Sequence, residues 1–398
     1  MHKKLWFLNP AVLFLLGSIQ ALFPYFIWYF FGKNPNYEYE VSFSPLVLWF
    51  FGYCAFFIGC KIINKKSKYE NKIYFIDKNR FDKLKYFLLI SYVLCLFIMV
   101  KEYNGLPILD FIYGIVNVND VNDIQSTSNS SIFGLFYSIQ TCFLILISQG
   151  IGFSLINRKL NINLLIYLAL IFFGSFISGK RQGAVIITSV FLTSFLIYAG
   201  YMKDYILARR LFRMATFYGI LFLVLFIPLF GLIGSLRSGS NLGDGVTQLF
   251  TYLDFPLINF EWQCEEFGLF RGANNWAPFF SSMVPYKLIA NTNLFFDSYD
   301  QIYNFSYPEP GIGAGYFGNV HLALGFLGVL VYGFITGIFC KKIFLLAISN
   351  IQWVVPYGLI TWPLLSAHSY AHFNNLIFFP LPFLLSVAIA KFTVKIKQ

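Results

Sequence analysis

Ten apolar stretches divide this chain, at residues 11–31, 45–63, 84–100, 132–155, 160–178, 184–202, 214–233, 316–339, 351–367 and 374–394. Each comes close to the roughly 20 residues that a helix needs to cross about 30 Å of hydrocarbon. The pattern predicts an all-α, polytopic integral membrane protein of about ten transmembrane helices. The shorter apolar piece 343–348 reads as an interfacial turn between the eighth and ninth. The first stretch lacks a small-residue cleavage site and is too long for a signal peptide, so it is expected to stay as a span.

The polar segments between the stretches orient them. Loop 61–85 carries Lys61, Lys65, Lys66, Lys68, Lys72, Lys78, Arg80, Lys83 and Lys85 against Glu70, Asp77 and Asp82, which anchors it in the cytoplasm. Both termini then lie inside. Loop 201–213 (Lys203, Arg209, Arg210, Arg213) and the tail (Lys391, Lys395, Lys397) agree. Two segments on the other side, 101–131 and 234–315, are long enough to fold over the membrane surface. The chain 1–398 reads as a single multispan membrane domain, with 234–315, the large periplasmic loop between helices 7 and 8, carrying part of the active site.

Composition narrows the class. With 58% apolar and 12% charged residues and a mean hydropathy of +0.65, the chain is not an ordinary soluble globule. A net charge of +11 does not indicate nucleic acid, because the basic residues cap helices on the cytoplasmic side. Five cysteines fall in or beside spans and only Cys264 lies in a large exported loop, so no disulfide framework is implied there.

The same orientation leaves seven of the 29 basic residues on the acidic, exported side, among them Lys180, Arg181, Arg237, Arg271 and Lys287. Cations that break the positive-inside rule call for a functional reason. Ser178-Gly179-Lys180-Arg181-Gln182-Gly183 is a tight turn between the fifth and sixth spans. Glycines let backbone N–H groups approach a ligand and a guanidinium forks onto two phosphate oxygens, so this turn can hold an anion at the membrane surface. Ser235-Leu236-Arg237-Ser238-Gly239, after the seventh span, offers a second guanidinium. The alternative for the turn is a miscounted span, and for Arg237 a snorkelling side chain.

The loop 234–315 sets aromatics, Trp262 and Trp276 among them, beside carboxylates that include Asp254 and Glu309. That mixture suits sugar rings, and it equally suits a belt at the bilayer interface. The Gly-rich run 311–319, with Tyr316 and Asn319, enters a span that continues with Gly325, Gly328, Gly333 and Gly337, where small residues favour close helix packing. His321 reads as a site residue or as a buried, satisfied histidine. His368 and His372 stand i, i+4, but no third metal ligand is near; His368 alone can accept a proton. No phosphate loop, dinucleotide fingerprint or nucleophile elbow occurs. No cofactor and no metal are expected, and the energy must come from an activated substrate.

In its layout, and in the Ser-Gly-Lys-Arg-Gln turn at 178–182, Arg237 and Gly313-x-Gly315-Tyr316-Phe317-Gly318-Asn319, the chain resembles the Wzy-type O-antigen or capsule repeat-unit polymerases. The resemblance implies a glycosyltransferase of the bacterial inner membrane with its active site facing the periplasm. It would act on undecaprenyl-diphosphate-linked oligosaccharides, with a chain-length regulator and a flippase of the same pathway as partners beside membrane lipid. On that reading the catalytic candidates are Arg181, Arg237, Glu309, His368 and Asp254. Lys180, Arg271, Lys287, Trp262, Trp276, Tyr316 and Asn319 would bind substrate. An O-antigen ligase or a lipid-linked oligosaccharide flippase are the alternatives.

Overall fold

The computed structural model describes residues 5–19, 44–63, 74–102, 130–159, 161–177, 181–202, 209–210, 213–214, 256–271, 315–367, 373 and 379–396. These are predominantly helical: α1 (Pro10–Ile19), α2 (Ser44–Ile62), α3 (Lys78–Glu102), α4 (Ser130–Ile156), α5 (Ile162–Ile177) and α6 (Arg181–Tyr201). There follow α7 (residues 256–267), α8 (Gly315–Ser349), α9 (Val354–Leu365) and α10 (Pro380–Thr393). Among the described residues α2, 135–156 of α4 and 320–349 of α8 are long and apolar enough to cross a membrane. The described residues are thus mostly helical, with three candidate membrane-spanning helices among them. The seventh apolar stretch, 214–233, lies outside the described residues except at its first position.

One end of the bundle is tied by a short antiparallel sheet. β1 (Tyr74–Ile76) pairs with β2 (Val394–Ile396) in the register Tyr74 to Ile396 and Ile76 to Val394. The Asp77 amide donates to Thr393 O (2.9 Å), Arg80 pairs with Asp77 (3.1 Å) and lies over the Phe392 ring, and Gln352 donates to Val394 O (3.0 Å). The lysine-rich loop and the tail therefore share one end, as their charges predict. Lys341 stands over Phe344 there, with the α2 terminus and Lys61 alongside.

Helix directions follow from contacts. Gln140 Nε2 of α4 donates to Ile171 O (3.1 Å) and Ser175 Oγ (3.0 Å) of α5, while Tyr92 of α3 donates to the Leu170 and Ile171 carbonyls (3.3 Å each). Further along α4, Gly150 faces Phe81 and Gly152 lies flat against the Tyr198 ring. Thus α3 and α5 run against α4, and α6 runs with it. Thr193 of α6 donates to Thr361 of α9 (3.2 Å), and Tyr201 donates to Ala347 O (2.7 Å). Arg181, at the start of α6, lies at the end of the bundle opposite the lysine-rich one.

The tightest pairing is α2 with α8, and glycine explains it. A Cβ at Gly333 would lie 2.7 Å from Gly52 O, one at Gly337 would lie 2.2 Å from Phe56 O, and one at Gly59 would lie 2.3 Å from Phe334 O. Backbones this close gain dispersion contacts where lipid offers no hydrophobic drive. A Gly337→Leu substitution is expected to destabilise by about 3 kcal/mol, since backbone cannot yield as a side chain does. Gly200→Ala, whose Cβ meets only Leu5 at 3.6 Å, should be silent. Thermal unfolding in detergent separates the two.

Three expectations from the apolar pattern are corrected. Residues 343–348 form no turn: they continue α8 to Ser349, because an unbroken apolar run of good helix formers has nothing to stop it before Asn350. The span at 316–339 is not straight. Gly325 (φ 59°, ψ −152°) divides α8 into a limb 315–324 (α8a) and a limb 326–349 (α8b). The Tyr316 hydroxyl donates to Thr336 (3.0 Å) and its ring lies 5.4 Å from Tyr332. Residues 16 and 20 apart meet only if α8a folds back along α8b. Among the described residues the last two stretches are shorter as helices than as apolar windows: α9 has 12 residues and α10 has 14, about 18 and 21 Å, with 374–378 outside the described residues.

Candidate functional site

Helix ends left inside a membrane protein must be satisfied by protein, since lipid offers no hydrogen bonds. Here α9 stops after Leu365, with the Ser366 amide and hydroxyl both turned back to Trp362 O (2.9 Å each). The free carbonyl of Ala367 then accepts from the Tyr316 amide (3.0 Å), so the end of α9 satisfies the start of α8a. The break is sealed by aromatic rings: Phe14 packs on Phe56 (4.5 Å) and Tyr316 (4.9 Å), and Phe373 on Tyr316 (6.0 Å) and Phe379 (4.7 Å).

Tyr316 is therefore corrected from a ligand contact to a packing residue. It is fully buried at the centre of this cluster, with its hydroxyl engaged by Thr336, and it offers a sugar no surface. Asn319 sits one turn further along α8a.

The loop helix α7 docks on α8a through a buried polar clamp. Gln263 Nε2 donates to Gly318 O (3.0 Å) and to His321 Nδ1 (2.8 Å), while His321 Nε2 meets Leu269 O (3.1 Å). A carbonyl can only accept, so His321 carries its proton on Nε2 and is neutral. Of the two readings open in the sequence, the structure shows the buried, satisfied one. A Gln263→Leu substitution would strand His321 Nδ1 and take the second donor from the Gly318 carbonyl. The expected cost is about 1–3 kcal/mol, visible as earlier thermal unfolding and faster proteolysis of 256–271.

The chain then turns through Gly268–Arg271 to the Gly325 corner, where Phe326 N donates to Phe270 O (3.3 Å). The corner lies far from Lys341 along α8b, so Arg271, which is exposed, joins Arg181 at the end opposite the lysine-rich one. Trp262 is half-buried, edge-on to Phe267 (6.2 Å). Lys180, Arg237, Asp254, Trp276, Lys287, Glu309 and His368 lie outside the described residues.

Nothing in the local pattern marks Asn259, Glu261 and Gln263 as a buried set. Glu261 is only 4% exposed, and a carboxylate is rarely enclosed without a specific partner. Their i, i+2, i+4 spacing imitates an alternating surface, which hid them. In the same helix, burial, and behind it the Glu261 and Glu265 carboxylates, push the Cys264 thiol up to about 12. It stays protonated at physiological pH and is no nucleophile. Maleimide should leave it unlabelled at pH 7.5 in the folded protein and label it once denatured.

No protein family, curated protein or solved structure matches the chain.

Proposed function

We propose that this protein polymerises bacterial surface polysaccharide, joining undecaprenyl-diphosphate-linked oligosaccharide units at the periplasmic face of the inner membrane. The observation that carries the reading is the position of Arg181 and Arg271 at the end of the bundle opposite its lysine-rich end. If the lysine-rich end is cytoplasmic, both cations stand at the periplasmic surface, where a lipid diphosphate presents its charge. The arrangement then has about ten spans with both termini inside, and the loop 234–315 lies over the periplasmic mouth.

In the reaction, a hydroxyl of the incoming unit attacks the anomeric carbon of the growing glycan. The bond from that carbon to the diphosphate oxygen breaks, and undecaprenyl diphosphate leaves with the bonding electrons. Charge grows on the leaving oxygen, so cations held there favour the transition state over the ground state. Lys180, Arg181 and Arg237 take this role, and Arg271 holds the second lipid diphosphate. The proton of the attacking hydroxyl passes to a base drawn from Glu309, Asp254 and His368. Trp262 and Trp276 stack on sugar faces.

A flippase reading draws on one observation, the meeting of interrupted helices at depth, which transporters share. Against it, the described residues around that break are aromatic and uncharged: Phe14, Tyr316, Phe317, Phe373 and Phe379. Deleting the gene and staining surface lipopolysaccharide on a gel separates the classes. The polymerase reading expects the ladder to vanish while a single repeat still caps the core. Loss of that single repeat as well would overturn it in favour of the ligase or the flippase.

A further inference from the structure

The seam between α2 and α8b ends in a pair of cations that the proposed reaction does not use. The two helices run parallel: Gly52 packs on Gly333 and Phe56 on Gly337, and the Cys60 thiol donates to Gly337 O (3.4 Å). One more turn sets Lys341 beside Cys60, with Lys61 near enough to repel it. α2 stops at Ile62, whereas α8b continues to Ser349. Lys61 and Lys341 therefore stand on the step where α2 ends, about 12 Å along the axis before α8b does.

Aromatic rings place both side chains. Lys61 Nζ lies 5.1 Å from the Phe57 ring centroid and Lys341 Nζ 5.2 Å from that of Phe344, so the two ammonium groups are held at an apolar boundary. Ile58 and Ile62, on either side of Lys61, are more than half exposed, while Lys341 is half-buried. At the same end Arg80 has Asp77 (3.1 Å) and Lys85 has Asp82 (2.6 Å). Among the described residues no carboxylate pairs with Lys61 or Lys341. The sequence after α2 adds Lys65, Lys66, Lys68 and Lys72 against Glu70, which raises the positive charge further. Two like charges, one of them partly desolvated, oppose this packing unless an anion lies between them. Snorkelling explains a single lysine at the interface; it does not gather two on one seam.

We infer that Lys61 and Lys341 bind the phosphate of an anionic phospholipid from the leaflet at the lysine-rich end, and that this lipid locks the α2–α8b seam. Basic residues gathered between membrane helices at that surface are the complement of such a head group. The surroundings select a lipid over a soluble anion. Free phosphate would have to shed water beside Phe57, Phe344 and Ile62, whereas a lipid phosphate already lies at the edge of the hydrocarbon. The site is at the end opposite Arg181 and Arg271 and is independent of the reaction proposed above.

The test follows thermal unfolding of the full-length protein in neutral detergent while phosphatidylglycerol, phosphatidylcholine or inorganic phosphate is added. Phosphatidylglycerol is expected to raise the unfolding temperature of the wild type to a plateau, and phosphatidylcholine to raise it far less. Lys61→Gln and Lys341→Gln should each increase the phosphatidylglycerol needed for half the shift about fivefold, as the loss of one lysine at an anionic surface implies. Lys83→Gln, at an exposed lysine of the same end, should leave it unchanged. Equal shifts from the two lipids, or an equal loss in Lys83→Gln, overturn the site in favour of diffuse surface charge. An equal shift from inorganic phosphate overturns the lipid as occupant. Should Lys341→Gln fail to fold, Lys61→Gln, whose side chain is exposed, decides the comparison with Lys83→Gln.

Discussion

A Gly325→Ala protein is expected to accumulate at a small fraction of the wild-type level, and what reaches the membrane is expected to have lost most of its activity. The residue has φ 59° and ψ −152°, a region that is essentially glycine-only and costs about 1–3 kcal/mol for other residues. Space makes it worse. A Cβ there would lie 2.3 Å from Phe270 O and 2.7 Å from the Arg271 carbonyl carbon, both backbone atoms that cannot rotate aside. Relief requires moving the 268–271 turn, which breaks the Phe326 to Phe270 hydrogen bond and shifts Arg271 away from the corner. Together these exceed a few kcal/mol, a large part of the roughly 5–15 kcal/mol that holds a typical fold. Thermal unfolding and limited proteolysis of the purified variant read it directly; a variant as stable as wild type would mean that the chain does not reverse at Gly325.

The second large effect concerns charge without structure. Arg181→Gln combined with Arg237→Gln is expected to leave the protein in the membrane at normal amounts while polymer formation falls about 100- to 1,000-fold, the scale seen when a preorganised stabiliser of developing charge is removed. Glutamine keeps length and hydrogen bonding but cannot neutralise a diphosphate. Quantifying glycan chain length beside protein level distinguishes this from misfolding. Intact chains in the double variant would remove both arginines from the mechanism.

Much of the architecture could be read from the chain, and the failures have physical causes. Periodic apolar windows located α2 to α6 to within several residues, because a helix in lipid needs a continuous apolar run whatever it packs against. The charge count put loop 61–85 and the tail on one side, and the β1–β2 pairing joins them there. What apolarity cannot report is interruption: Gly325, Gly333 and Gly337 look alike in sequence, yet two of them admit a neighbouring backbone and one reverses the chain. Tyr316 misled for the same reason. Its place after a Gly-rich run suggested a surface, whereas the fold-back of α8a carries it into the aromatic centre.

The candidate site was legible only in part. The charge pattern singles out Arg181 and Arg271, and the fold puts both at the end opposite the lysine-rich one. Gln263 is not singled out, because its value lies in reaching Gly318 and His321, more than fifty residues away, and no local pattern encodes that meeting.

The most direct measurement is chain extension by the purified protein in vesicles, supplied with a single oligosaccharide unit on undecaprenyl diphosphate and with no nucleotide sugar. The expected result is a ladder of products growing by whole units, with one undecaprenyl diphosphate released per bond formed, and no ladder from the Arg181→Gln, Arg237→Gln protein. Extension that appears only when lipid A core is added as acceptor, or movement of the unit across the bilayer without extension, would contradict it.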